Sequence, residues 1–217
     1  MPESAQPTPE HHWVAGHPVL LWRGVRPWLA VSSAVHGGGI GERDWVLNAT
    51  VPSGYDRLDP QWHVLELAGS LGVTGQGIGL LTAVDVRKVV TRVDAEVIAS
   101  VTTGVSHPVW AADDAATVDE AAAGTINAVC WLPVRLSEGA LVNAVATVAE
   151  AKAQALGDAG IAGTGTCTDA TALLCPTDGP AEPYGGPRSK VGSALARAAY
   201  AAVRRGAYAA GRRGIGS

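Results

Sequence analysis

The chain of 217 residues contains no phenylalanine, a single methionine and only 17% charged residues. Without phenylalanine, the packing of large side chains depends on seven tryptophans and four tyrosines, with small and branched apolar residues filling the remaining space. Apolar residues make up 47% of the chain, which excludes the low-hydrophobicity, high-charge composition of a disordered protein. The length then favours one substantial core.

Cysteine is also scarce. Cys130, Cys167 and Cys175 are an odd number and lack the close pairs of a zinc or redox site, so we expect reduced thiols in a cytoplasmic protein. No uninterrupted apolar run reaches the roughly 18 to 20 residues of a membrane span. The polar N-terminal segment also has no apolar stretch of the kind that a signal peptide contains. Stable membrane insertion is therefore not expected.

The chain as a whole carries no excess of positive charge. The net charge of −4 argues against nucleic acid as a general partner. Basic residues collect near the C-terminus, at Arg188, Lys190, Arg197, Arg204, Arg205, Arg212 and Arg213. Arg197 and Arg204 lie opposite the apolar residues of the predicted last helix, so we expect the solvent-facing side of a docked helix. Because that helix's apolar face is mainly alanine, membrane-surface binding is the weaker interpretation.

Periodicity and turn residues predict alternating strands and helices. Strands are predicted at 19–22, 28–35, 45–52, 77–84, 88–94, 96–103, 125–134 and 170–174. Helices are predicted at 60–71, 137–159 and 189–210, the second with Ser137 as its N-cap. The first two strands are predicted to form a hairpin around Arg26 and Pro27. Residues 1–16 are predicted to form a flexible leader, and 17–217 a single domain.

This alternation is typical of an α/β protein: a mixed β-sheet with packed helices, a long central helix and a C-terminal helix. The pattern does not determine the strand order. On the central helix, helical spacing predicts that one face carries Val142, Val145, Ala149, Lys152 and Leu156. Glu150 then points about 200° away from Lys152 around the helix.

A Gly/Thr-rich hairpin at 163–169 is the first candidate binding element. It offers backbone N–H groups, the hydroxyls of Thr164, Thr166 and Thr168, and the carboxylate of Asp169. Glycine lets a ligand approach the main chain, so the hairpin suits an anion or an amide. The alternative is an ordinary turn whose threonines bond to the local backbone. No Gly-Lys-Ser/Thr follows, so it is not a nucleotide-binding P-loop.

Two other predicted strand ends have the same character, and ligands in α/β sheets gather where loops diverge from strand ends. Ser33 lies near the end of the second predicted strand, His36 and Gly38 follow it, and Ser106 follows the strand at 96–103. Hydrolysis of an amide would need a base and a group that stabilises the oxyanion. The candidate bases are Asp85, Glu150 and Asp169; each has the alternative of being a cap or a solvent-facing charge. Lys152 could stabilise the oxyanion; the alternative is that its charge complements the dipole at the C-terminus of the helix.

Several ordered segments resemble the adenosylcobinamide amidohydrolases of corrinoid salvage. They lie at 32–39, 47–52, 81–86, 103–106, 124–127, 150–152 and 165–169, between about Trp28 and Pro176. Within them, Asn48, Thr82 and Thr125 join the predicted substrate-binding residues.

The resemblance implies removal of aminopropanol from adenosylcobinamide by amide hydrolysis, giving adenosylcobyric acid. It implies a cytoplasmic enzyme with no metal or cofactor of its own, the cobalt being carried by the corrinoid substrate. A non-catalytic corrinoid-binding or carrier protein is the alternative. Nucleic acid is not an expected partner, and a homo-oligomer stays open.

Two mechanisms are compatible with the residues. In the first, which the sequence favours, Asp169 or Glu150 activates water, while N–H groups of the 164–168 loop and the amide of Asn127 hold the carbonyl oxygen. In the second, a hydroxyl of Ser33, Ser106 or Thr166 is the nucleophile.

Overall fold

The structure, a computed structural model, describes residues 7–113 and 124–211. Within these ranges the chain forms a mixed eight-stranded sheet and three α-helices. The strands are β1 Glu10–Val14, β2 His17–Ser32, β3 Gly39–Thr50, β4 Gly77–Thr82, β5 Val90–Asp94, β6 Val97–Thr103, β7 Ile126–Trp131 and β8 Ala170–Cys175. The helices are α1 Pro60–Ser70, α2 Glu138–Asp158 and α3 Gly192–Gly211. The α/β class and the mixed sheet predicted from the sequence are confirmed.

The strand order is β4-β3-β2-β8-β7-β6-β5, with β1 paired to β2. Only the β3–β4 and β7–β8 pairs are parallel; the other pairs between described strands are antiparallel. The N-terminal ends of β7 and β8 therefore lie side by side, together with the C-terminal ends of β2 and β6. These four ends position the candidate site.

The sheet curls so that its two halves face each other. Asn48 of β3 donates a hydrogen bond to Thr102 of β6, although three strands separate β3 from β6. The rings of Trp22 in β2 and Trp131 in β7 lie 5.3 Å apart. One apolar core fills the space between the halves, and it includes Leu80 of β4. The curl brings the C-terminal end of β4 close to the N-terminal end of β7.

Helices cover the outer faces of the sheet. Leu141 and Leu156 of α2, with Leu195 of α3, pack in one core cluster with Ile126 and Leu173 of the sheet. On the other half, α1 buries Val64 and Leu67 against β2 and β3. None of the helices in the described part of the chain is long and apolar enough to cross a membrane.

The hairpin predicted around Arg26 and Pro27 was wrong. One continuous strand, β2, runs through both predicted strands and pairs with β3 on either side of a register shift between Arg23 and Trp28. Proline has no N–H to give to the sheet, and an irregularity is where a strand tolerates it. The proline therefore marks a break in register and not a turn.

The leader predicted over residues 1–16 was wrong where β1 forms. β1 pairs antiparallel with β2, and Glu10 accepts two hydrogen bonds from the guanidinium of Arg23, at 2.7 and 2.9 Å. Residues 1–6 of the predicted leader lie outside the described residues, as do Arg212 and Arg213. The pairing partner of β1 is strand β2 itself, which the local composition of the leader does not reveal.

The face predicted for α2 is only partly the one that packs on the sheet: Leu156 is buried and Val145 is half-buried. Val142 is 57% exposed and Ala149 is exposed, whereas Ala144, Ala151 and Ala155 are buried. The alanines face the sheet and α3 because small side chains permit close approach. The predicted cap was correct, since Ser137 Oγ accepts a hydrogen bond from the N–H of Ala140. The prediction of the solvent-facing side of α3 was also correct, because Arg197 and Arg204 are exposed.

Candidate functional site

Three loops meet where β7 and β8 begin. The loop after β6 is joined to the segment before β7 by a hydrogen bond of 2.9 Å from Gly104 N to Thr125 O. Farther along the same loop, Val109 N donates to Gly165 O at 2.9 Å, and Thr164 N donates to Val109 O at 2.8 Å. Of the Gly- and Thr-rich loops predicted to converge, the loop after β6 and the 163–169 hairpin are therefore in contact at this edge of the sheet.

Asp169, which directly precedes β8, lies at the centre of these loops. Its Oδ1 accepts from the N–H of Ile126 at 2.8 Å and from Thr166 Oγ1 at 2.5 Å. Its Oδ2 accepts from the N–H of Thr166 at 3.0 Å and from Lys152 Nζ at 2.5 Å. With 12% of its side chain exposed, Asp169 is mostly removed from water but fully supplied with donors.

Lys152 comes to this carboxylate from the second half of α2, and 19% of its side chain is exposed. The turn that carries Gly165 passes directly over the ion pair. A Cβ added at Gly165 would lie 2.5 Å from Asp169 Oδ2 and 2.6 Å from Lys152 Nζ. Only glycine lets the backbone pass there without moving the two charged groups.

The threonine hydroxyls tie the turn to the segment before β7. Thr166 Oγ1 and Thr168 Oγ1 lie within hydrogen-bond distance of Gly124 O, at 2.8 and 3.1 Å. Thr125 Oγ1 and Thr168 Oγ1 are 2.7 Å apart, and Thr164 Oγ1 accepts from the N–H of Ala111. Thr125, Thr166 and Thr168 are thus brought together beside Asp169, whereas Thr164 binds the loop at 109–111. We call Lys152, Thr166 and Asp169 the central cluster.

Beneath the central cluster, a buried polar network joins the two halves of the sheet. Asn127 Nδ2 donates to Asn48 Oδ1 and to Leu81 O, both at 3.1 Å, and Asn48 Nδ2 donates to Thr102 Oγ1 at 3.2 Å. Asn48 and Asn127 are each 1% exposed. Because both hydrogens of the Asn127 amide are engaged, its role at a carbonyl oxygen stays a prediction.

The remaining predicted residues lie apart from the central cluster or on its rim. Thr82 is buried, and its Oγ1 accepts from the N–H of Val84. Glu150 is exposed on α2 and does not belong to the central cluster. Asp85 caps a short 3-10 helix, and its hydrogen bonds with the Arg87 side chain lower the pKa of the carboxyl.

Four predicted residues follow strand ends at the same edge. Ser33 adjoins β8, because its Oγ accepts from the N–H of Thr171 at 3.0 Å. Ser106 is exposed on the loop after β6, and Gly38 is exposed before β3. His36 stacks on Trp45 with 5.8 Å between ring centroids, and burial lowers the pKa of its imidazole.

Sequence reasoning missed four contributors to the site. They are the N–H of Ile126, the carbonyl of Gly124, and the loop residues Val109 and Trp110, which are 36% and 54% exposed. The repeated Gly-Thr pairs at 124–125 and 165–166 were the available signal. Each pair precedes a strand, and the two strands are parallel neighbours in a register that sets Thr125 beside Thr168 and Ile126 beside Asp169.

The arrangement offers a hydroxyl, a carboxylate and an ammonium group in direct contact, with exposed loops around them. Such a set can move a proton and stabilise a developing negative charge. Cys167, exposed between Thr166 and Thr168, adds a free thiol to the rim. Among the described residues, no group of three or more His, Cys, Asp or Glu side chains is arranged to hold a metal ion.

The fold and the central cluster define an α/β protein with a hydrogen-bonded Lys–Asp–Thr cluster at the edge of a mixed sheet. The sequence matches the family model of adenosylcobinamide amidohydrolase over residues 4–214, so the chain belongs to that family. A relative named adenosylcobinamide amidohydrolase, from Methanosarcina mazei, is 32% identical over 178 residues. The match covers 78% of this chain and 84% of that protein. The family resemblance stated from the sequence motifs is confirmed.

Proposed function

We propose that this protein hydrolyses the amide that joins aminopropanol to adenosylcobinamide, releasing adenosylcobyric acid and the free amino alcohol. The observation that carries the proposal is the family match, which includes every residue of the central cluster. The cluster provides the groups that the reaction needs. The reaction belongs to corrinoid salvage, and we expect it in the cytoplasm.

Thr166 is the proposed nucleophile, because its hydroxyl is the one that contacts a carboxylate. Of the three predicted hydroxyls, Thr166 Oγ1 lies 2.5 Å from Asp169 Oδ1, whereas Ser33 Oγ accepts from the N–H of Thr171 and Ser106 is on the exposed loop. Asp169 would take the hydroxyl proton as Thr166 Oγ1 forms a bond to the amide carbon. The ammonium of Lys152 would stabilise the oxyanion.

The C–N bond then breaks, and the proton held by Asp169 passes to the leaving amine. Water would next attack the ester on Thr166, giving its proton to Asp169 and then to Thr166 Oγ1 as the ester C–O bond breaks. In the competing route, Asp169 takes a proton from a water molecule that attacks the amide directly. Both routes use the same base and the same cation, and they differ only in the part played by Thr166.

The corrinoid itself would lie across the exposed loops. Val35, Val109 and Trp110 expose apolar side chains on two loops of this edge, and an apolar macrocycle would cover such groups. Ser33, His36, Gly38, Ser106 and Thr164 are proposed to contact the substrate from the same loops. Asn48, Thr82 and Thr125 would support those loops from beneath. We propose that the cobalt enters with the substrate and that the protein has no cofactor of its own.

A comparison of Thr166→Ala with Thr166→Ser tests the function and the route together. The assay follows adenosylcobyric acid and aminopropanol by mass spectrometry, with a corrinoid-binding titration on each sample. The nucleophile route predicts that Thr166→Ala loses activity by about 10³-fold or more. Thr166→Ser keeps a hydroxyl and stays within about 10-fold of the wild type, and a corrinoid ester on the peptide containing Thr166 is trapped by acid quenching.

Other outcomes have distinct meanings. A loss of only about 10-fold in Thr166→Ala, the effect of one hydrogen bond, would support the water route. Tight corrinoid binding without product release by the wild type would instead indicate a carrier protein and overturn the proposed function.

A further inference from the structure

A small cavity of about 160 Å³ lies on the helical side of the central cluster. Its walls come from β7, β8, α2 and α3, and they include the side chains of Val145, Val148 and Val203. Ala149, which is exposed to solvent, also lines it, so the cavity is reached from the surface of α2. None of the residues that we assign to contacts with the corrinoid lines this cavity.

The cavity is apolar along its walls but polar at one end. Lys152 and Asp169 both line it, together with Thr171. The Thr171 N–H bonds to Ser33 Oγ, which places this wall next to the loop at the end of β2. A ligand in the cavity would therefore contact apolar groups with its carbon atoms and the ion pair with its polar atoms.

The volume sets a limit on what fits. Water occupies about 30 Å³ per molecule in the liquid, so the cavity has room for about five non-hydrogen atoms. A macrocycle is far larger and must stay outside. A three-carbon amino alcohol has about that number of non-hydrogen atoms, with one amine, one hydroxyl and one methyl group.

We propose that this cavity is the subsite for the aminopropanol part of the substrate. This inference rests on the proposed function. The scissile amide would lie at the central cluster, the corrinoid on the exposed loops, and the leaving group between α2 and α3. The valines would surround the methyl group, and Thr171 would bond to the hydroxyl. The cavity thus selects the amine that is released.

Substitution of Ala149 by leucine tests the subsite without touching the central cluster. Ala149 is exposed on α2, and leucine is a good helix former, so the variant is expected to fold. Its larger side chain would fill part of the cavity. Ala146→Leu is the matched control, because Ala146 is exposed on the same helix but does not line the cavity.

We expect Ala149→Leu to lower kcat/KM for adenosylcobinamide at least about 10-fold, while Ala146→Leu stays within about 2-fold of the wild type. A synthetic analogue with ethanolamine in place of aminopropanol lacks one methyl group. The wild type should cleave this analogue about 10-fold more slowly than adenosylcobinamide. In Ala149→Leu the difference in rate between the two substrates should be smaller. Free aminopropanol should inhibit the wild type, and the variant more weakly.

The results separate this inference from the proposed function. If the wild type cleaves adenosylcobinamide while Ala149→Leu matches Ala146→Leu in rate, preference and inhibition, the subsite assignment is overturned and the hydrolase stands. If the wild type releases no aminopropanol, the hydrolase and its subsite are overturned together.

Discussion

Asp169 and Glu150 are both acidic residues, and their surroundings give them different chemical prospects. Asp169 accepts hydrogen bonds from two backbone N–H groups, one hydroxyl and one ammonium group, with 12% of its side chain exposed. Glu150 is exposed on the outside of α2. A fixed, largely desolvated carboxylate can act on one defined neighbour, whereas an exposed one interacts mainly with water.

His36 provides a test of pH dependence. Burial, and next the positive charge of Arg43, lower the pKa of its imidazole below 6.5. Between the lowered pKa of the folded state and about 6.5, this histidine is protonated more in the unfolded chain than in the folded one. The free energy of unfolding therefore falls as the pH drops below about 6.5. Denaturant titrations between pH 8 and pH 5 should show this loss, and His36→Gln should make it smaller.

The loss should not vanish in that variant. Burial also lowers the pKa of His63, which lies 3.0 Å from the hydroxyl of Tyr55, so His63 retains its share of the effect. The control is His107→Gln, because His107 is exposed on the loop after β6. An unchanged pH slope in His36→Gln would contradict the assigned environment of His36.

At the scale of the elements, α1 and β4 pack so closely that one position requires glycine. A Cβ on Gly79 of β4 would lie 2.0 Å from Val64 Cγ1 of α1. Gly79→Ala should therefore destabilise the fold by about 1–3 kcal/mol through displacement of α1. Urea unfolding monitored by circular dichroism gives the value.

Gly69→Ala is the matched control for this substitution. Gly69 lies in α1 itself, and an added Cβ would meet nothing within 4 Å. Alanine in a helix is more stable than glycine by roughly 0.5–1 kcal/mol, so this variant should gain stability. Equal stability changes for the two variants would contradict the packing of α1 on β4.

Most elements could be predicted from local sequence patterns, because their signals are local. The cap at Ser137, the proline at the start of α1 and the apolar run of β4 each act within a few residues. The errors involve partners far along the chain. β1 forms because β2 lies beside it, and the buried side of α2 depends on the alanines that let α3 approach.

At the scale of the whole molecule, the side-by-side order of β6, β7 and β8 assembles the site from separate segments. Gly104, Gly124 and Gly165 are far apart in the sequence, yet their loops are joined by backbone hydrogen bonds and close contacts. The hairpin at 163–169, with Asp169, could be predicted as a site from its residue types. The pairing of Lys152 with Asp169, and the burial of Asn127 beneath them, could not, because they depend on a strand order that local patterns do not determine.

The central claim is that this family member hydrolyses its amide at the central cluster, and Asp169→Asn tests it most directly. Wild type, Asp169→Asn and the control Glu150→Gln are incubated with adenosylcobinamide, and both products are followed by mass spectrometry beside a corrinoid-binding titration. We predict product release by the wild type and Glu150→Gln, and a loss of about 10²-fold or more in Asp169→Asn with corrinoid binding retained. Full activity of Asp169→Asn, or no product from the wild type, would contradict the account.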